Sequence, residues 1–243
     1  MTTPPYAELV AAIRREGEGL LSAARLGLDV PVTTCGDWDL AALVGHVAFV
    51  YARAGYFVAN RVQERPETLP DLPDGDPIDV LSGTLDALVA ALSGCEPDTP
   101  VWSWVFDQAD GARFWARRMA HESSIHRFDA EAAHGILQPI DPDLAPDEID
   151  EVIDVLAPRV YHRDAVDGPE GTVVLASSDS DVWSLELTPG GVIRTDRPSS
   201  PDVTARGTTS ALVKAVYGRT PWSVVEVDGD TDLLERWTTA MRF

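Results

Sequence analysis

The chain has 243 residues, of which 44% are hydrophobic, and a formal net charge of −21. That size and apolar content suffice for one domain or two smaller ones with buried cores, whereas so acidic a chain lacks the clustered Lys and Arg that a nucleic-acid backbone demands. No run is read as approaching the roughly 20 apolar residues of a membrane span, and "MTTPPYAELV" lacks the basic and apolar regions of a signal peptide, so no nucleic acid, no membrane and a cytoplasmic location are expected.

Lys214 is the single lysine, so nearly all positive charge is arginine. The two cysteines, Cys35 and Cys95, are read as free thiols, being too few for a four-cysteine zinc framework. In chain order, Tyr6 to Arg25 carries Leu9, Ala12, Ile13, Leu20 and Leu21 near helical spacing and predicts a first amphipathic helix. After the polar connection "DVPVTTCGDW", Asp37 or Asp39 caps a second helix from about Leu40 to Val58, with His46 inside it. The Pro- and Asp-rich "ERPETLPDLPDGDP" is irregular and leads to a third helix, about Ile78 to Leu92. A loop with Trp102 and Trp104 precedes the fourth helix, about Gly111 to His134, bounded by Asp110 and Gly135.

Four such helices suggest a bundle whose interior can host a site built from facing side chains. A further helix, about Pro146 to Val160, is followed by the β-type runs "GTVVLASS", "VWSLELT", "GVIRT" and "DVTARG", then by the helical "TSALVKAVYG" and "TDLLERWTTAMRF". The expected fold class is therefore α+β: a helical bundle over residues 1–160 and a small α+β domain over 161–243.

The fourth helix contains "HESSIH", which is one residue too long for the zinc-peptidase pattern of two histidines at i and i+4. At about 100° per residue, His121 and His126 diverge by about 140°, while Glu122 and His126 project within roughly 40° of one another. Trp115, Met119, Glu122, His126, Asp129 and Ala133 fall on one stripe. If that stripe faces inward, its Glu, His and Asp need partners or a cation; if it faces outward, it is a solvated stripe or a local Glu–His ion pair. His46 stands either as a third ligand or as a satisfied core histidine. His134 sits at a helix C-terminus, where a cation meets the dipole favourably, and His162 lies in a polar linker.

Two strings, "VPVTTCGDWDLAALVGHVAF" and "FWARRMAHESSIHRFDAEAAHG", resemble the paired signatures of the mycothiol-dependent maleylpyruvate isomerase family, and "KAVYGRTPW" and "VDGDTDLLERW" resemble its closing segments. The resemblance implies a DinB-like four-helix bundle with a sterol-carrier-like C-terminal domain. It also implies a divalent metal, usually zinc, held by His46, Glu122 and His126. Three protein ligands leave a position open for a thiol or water, and the implied cofactor is mycothiol. Its partners would be that low-molecular-weight thiol and a small electrophilic substrate, used by a monomer or homodimer in cis–trans isomerisation or S-transfer.

Arg219 corresponds to the family's C-terminal arginine, a candidate catalytic and cofactor-binding group for carboxylate or thiol-cofactor recognition, or a helix C-cap charge. Asp129 is a candidate for orienting an imidazole, or an ion-pair partner of Arg127 or Arg118. Cys35 is expected to be structural, and Trp38 a packing anchor. Substrate choice would rest on the loops Glu64 to Asp76 and Trp102 to Asp110. A non-catalytic metal or small-molecule binding protein, and a hydrolase using metal-bound water on the same fold, remain the alternatives.

Overall fold

The structure, a computed structural model, describes residues 3–69, 71–105, 111–164, 166–196 and 198–241. The chain divides into two compact units, one of residues 3–138 and one from residue 139 onward.

The first unit is a four-helix bundle of α1 (Tyr6–Ala24), α2 (Leu40–Ala59), α3 (Pro77–Ser93) and α4 (Gly111–Ala133). Its helix starts follow capping chemistry. The Asp39 carboxylate accepts from the Ala42 N–H at 2.8 Å, and Asp76 accepts from Ile78 at 2.9 Å with Pro77 pre-set for the first turn. Asp110, the expected boundary of the fourth helix, lies outside the described residues. The fourth helix ends before Gly135, whose φ of 74° supplies the left-handed residue of a C-terminal cap.

Leu9, Ile13 and Leu20 of α1 and Leu40, Leu43, Val44 and Val47 of α2 are fully buried. Each such side chain contributes roughly 1.5–3 kcal/mol relative to exposure. α1 packs on α4 and α3, and α2 on α3 and α4. Gly55 lets α2 approach α3 closely, since a Cβ there would lie 3.4 Å from the Leu88 Cα. Contrary to the sequence expectation, α2 is long and apolar enough to cross a membrane by length and composition, but half of its most apolar stretch is buried within the protein.

α4 is buried almost all round even though its sequence is polar. Its charges are paired, as burial requires. Arg127 donates through Nε to Glu16 of α1 and through Nη1 to Glu131 at 2.6 Å. Buried Ser123 meets the buried hydroxyl of Tyr51 from α2 at 2.7 Å and donates to the Met119 carbonyl.

The second unit begins with α5 (Ala145–Glu151), which continues through a wide π turn (Val152–Leu156) into α6 (Ala157–Asp164). The expected boundary at residue 160 puts this helical run with the bundle. In the structure it belongs to the second unit, where α5 packs on α7 (Thr209–Val216) and α6 on β3 (Gly191–Arg194). Trp183 donates to Asp150 at 2.9 Å, and Arg194 bridges Asp150 and Asp154. His162, expected in a linker, falls within α6.

The sheet comprises β1 (Gly171–Ser177), β2 (Val182–Thr188), β3, β4 (Val203–Gly207) and β5 (Glu226–Gly229), in the order β3-β2-β1-β4-β5. Only the β1–β4 pairing is parallel. β5 has no counterpart in the sequence expectation, being four residues of largely polar character. α8 (Thr231–Ala240) closes the unit, and buries Leu233, Leu234 and Trp237. Helical bundle plus α+β domain is thus the architecture.

Candidate functional site

The site is built on facing surfaces of α2 and α4. His46 stands in the second turn of α2, and its Nε2 lies 3.1 Å from Glu122 Oε1. From α4 itself, His126 Nε2 lies 3.3 Å from the same oxygen. The three donor atoms are all within 4.8 Å of one another. The polar stripe of α4 therefore faces inward, with Glu122, His126 and Asp129 buried. The His46 side chain is 35% exposed, so the cluster opens to one side.

Each member is held by a neighbour. His126 Nδ1 is 2.9 Å from Asp129 Oδ2; a carboxylate only accepts, so the ring donates there, and when the ring is neutral its lone pair is on Nε2, toward the cluster. Cys35 donates to the same Asp129 oxygen at 3.3 Å. The cysteine reaches it because Val32 to Trp38 forms a tight loop before α2: Cys35 N–H donates to the Val32 carbonyl and Val32 N–H to the Trp38 carbonyl, both at 2.8 Å. The Trp38 ring then lies 5.0 Å from the His46 ring, with Trp38 itself 37% exposed. Arg118, four residues before Glu122, donates to Oε2 and leaves Oε1 directed at the histidines.

The electrostatics follow from this packing. Burial pushes the Glu122 carboxyl up, but the Arg118 guanidinium and His126 outweigh it and hold the group well below the usual carboxylate range. Burial pushes His126 down, but the Glu122 charge and the hydrogen bonds to Asp129 and Cys35 hold it well above the ordinary imidazole value.

Two imidazole nitrogens and one carboxylate oxygen from two helices are the donor types that bind zinc and similar divalent ions, with the fourth position left open. The residues fit such an ion. A second group, Cys35, His126 and Asp129, shares His126 through its other face.

The structure therefore brings together four of the sequence-predicted residues: His46, Glu122, His126 and Asp129. His121 is buried but belongs to neither metal-capable group. Asp129 makes the imidazole contact, Arg118 pairs with Glu122, and Arg127 pairs with Glu16 and Glu131. Arg219 lies in the second unit just after α7, donating through Nη1 to the Tyr217 carbonyl at 3.0 Å. Cys35 and Cys95 are not joined in a disulfide. The sequence reading misses Arg118 as the partner of Glu122, although the i, i+4 spacing is the same signal that joins Glu122 to His126. It also misses the contacts of Cys35 and Trp38, which depend on how one loop folds against two helices. Residues 106–110 of the expected substrate loop lie outside the described residues.

Comparison with known proteins gives a consistent set of likenesses. The mycothiol maleylpyruvate isomerase N-terminal domain matches residues 7–131, and the C-terminal domain of the same isomerases matches residues 143–236. A crystal structure of a mutant of the mycothiol-dependent maleylpyruvate isomerase superposes with a TM-score of 0.64 at 15% identity, covering 94% of this chain and 96% of that one. The unmutated isomerase superposes with a TM-score of 0.60 at the same identity and coverage. Among curated proteins, none matches the chain in sequence.

Proposed function

Since this chain belongs to the mycothiol maleylpyruvate isomerase family, we propose that it is a metal-dependent enzyme that activates mycothiol for attack on a small electrophile, by cis–trans isomerisation or S-transfer. The observation that carries this reading is the meeting of His46 from α2 with Glu122 and His126 from α4 around one open position. Bound there, a divalent ion such as zinc would lower the pKa of a thiol, which near 8.5 is otherwise mostly protonated at neutral pH.

The chain's own residues do the rest. Asp129 holds the His126 ring in the tautomer that offers Nε2, and Arg118 occupies one Glu122 oxygen so that the other is directed inward. In the isomerase reaction the thiolate adds to one carbon of a cis double bond conjugated to a carbonyl. The resulting single bond rotates, and expulsion of the thiolate restores the double bond as trans. In S-transfer the carbon–sulfur bond stays and the enolate formed by addition takes up a proton at the carbon next to the carbonyl, giving the saturated thioether. Arg219 is proposed to bind a carboxylate of the cofactor or substrate through its planar fork.

The test is metal content after native purification, together with calorimetric binding of mycothiol with and without metal and a thiol-dependent activity screen that includes maleylpyruvate. His46→Ala, Glu122→Ala and His126→Ala are each expected to lower metal occupancy, and His121→Ala to leave it unchanged. Stoichiometric metal in the first three variants would refute the site. Metal binding without mycothiol binding would point instead to the hydrolase reading.

A further inference from the structure

His126 presents its two ring nitrogens to two different sets of donors. Nε2 faces Glu122 Oε1, the oxygen that His46 also meets. Nδ1 lies 2.9 Å from Asp129 Oδ2, and Cys35 Sγ stands 3.3 Å from that same oxygen. One ligand atom from each of Cys35, His126 and Asp129 lies within 4.8 Å of the other two. Around a tetrahedral ion with bonds of about 2.0–2.3 Å, ligand atoms are roughly 3.3–3.8 Å apart, so small side-chain movements close these three on one cation.

The donors come from two parts of the bundle. His126 and Asp129 belong to α4, whereas Cys35 ends a short 3₁₀ turn (Thr33–Cys35) that packs on α4. Gly36, at φ 70°, turns the chain back directly after the cysteine. Residues 36–39 are exposed, Cys35 is half-buried and Asp129 is fully buried, which gives a cation its approach from the Cys35 side. The donor set also differs in kind from two imidazoles and a carboxylate: a thiolate is a soft ligand and favours soft cations.

The shared imidazole links the two groups. A neutral ring has one lone pair and one N–H. A cation held by His46, Glu122 and His126 uses the pair on Nε2 and leaves Nδ1–H donating to Asp129. A cation held by Cys35, Asp129 and His126 uses the pair on Nδ1 and leaves the proton on Nε2, where Glu122 Oε1 at 3.3 Å accepts it. Each arrangement is satisfied in itself, and occupying both would strip the ring of its last proton.

We propose that Cys35, His126 and Asp129 form an alternative metal site for a soft, thiophilic cation, mutually exclusive with the site of His46, Glu122 and His126. On binding, the sulfur–metal bond forms, the thiol proton passes to solvent, and the imidazole proton is carried on Nε2 instead of Nδ1. Such a cation withdraws His126 from the first site without entering it. The exclusivity rests on the proposed metal site, but the Cys35 site does not use His46.

Metal-free protein would be titrated with Cd2+ under a non-thiol reductant, following the ultraviolet charge-transfer absorption of a thiolate–cadmium bond. Zinc-loaded protein would be treated with Cd2+, desalted, and both metals counted by elemental analysis. The band and one retained Cd2+ per chain are expected in wild type and in Cys95→Ser, whose thiol donates to the Leu92 carbonyl and belongs to neither group. Cys35→Ser should lose the band and bind Cd2+ at least tenfold more weakly, since even a supporting partner of a ligand is worth about that much. Cadmium should expel zinc from wild type and expel less from Cys35→Ser, and His46→Ala should weaken zinc but keep the band. A band that survives in Cys35→Ser, equal Cd2+ affinity of wild type and Cys35→Ser, or zinc and cadmium retained together on one chain would overturn the proposal. Should Cys35→Ser fail to fold by circular dichroism, Cys95→Ser decides, because the chain has only two cysteines and a band lost with Cys95 refutes the site. A Cys35-dependent band beside zinc binding indifferent to His46 upholds this site while the first metal reading falls. His46-dependent zinc with no cadmium band does the reverse.

Discussion

Replacing Asp129 probes the support of the proposed metal ligand without touching a ligand. The side chain is fully buried, and Oδ2 accepts from both His126 Nδ1 at 2.9 Å and Cys35 at 3.3 Å. Asp129→Asn keeps the volume and an acceptor but removes the charge that strengthens the imidazole bond. Asp129→Ala removes the carboxylate acceptor of Nδ1–H, leaves only the weak Cys35 sulfur beside it and loosens the ring's hold on its orientation. Loss of such a supporting carboxylate lowers metal affinity by roughly 10–100-fold, which is about 1.4–2.7 kcal/mol. The asparagine variant should fall near the lower end and the alanine variant near the upper. Competition with a chromophoric chelator for Zn2+ measures both, and thermal unfolding of the metal-free proteins checks that the bundle remains folded. Wild-type affinity in a folded Asp129→Ala protein would refute the claim that Asp129 orients His126 for metal.

Metal uptake should release a proton and tighten as pH rises, because His126 is held protonated above its ordinary range by Glu122 and Asp129 in the metal-free protein, yet must be neutral to bind metal. The sign for stability runs the other way: a raised histidine pKa stabilises the metal-free fold fully below about 6.5 and loses that contribution as pH climbs through the folded value. The thermal protection conferred by Zn2+ should therefore grow between mildly acidic and alkaline pH, and a flat profile would contradict the pairing. In the second unit, Gly229 at φ 107° would place a Cβ 2.2 Å from the Asp202 carbonyl oxygen. Gly229→Ala should destabilise it by at least the roughly 1–3 kcal/mol of a strained backbone, read as a lowered denaturation midpoint.

The helices of the bundle were legible because their signals are local. Asp39 announces a cap, Gly135 announces an end, and apolar residues recur at helical spacing. The Glu122–His126 pairing was legible for the same reason: four residues along a helix bring two side chains to one face whatever surrounds it. Arg118 with Glu122 obeys that rule as well and was available to it. By contrast, β5 pairs through backbone groups with β4, and its side chains "EVDG" carry no alternation to reveal it. The helical run from Ala145 has an apolar face that could serve either unit, so only its contacts with α7 and β3 assign it to the second.

By itself the sequence determined the bundle's elements, their ends, and the placement of Glu122 and His126 on one stripe of one helix. Only the tertiary structure decided that this stripe faces inward, that His46 meets it, that Asp129 makes contact with His126, and that Cys35 reaches Asp129 from a loop. The physical reason is that helical periodicity sets angles within an element. The rotation of one helix relative to another is set by packing across the whole core, which no single segment encodes.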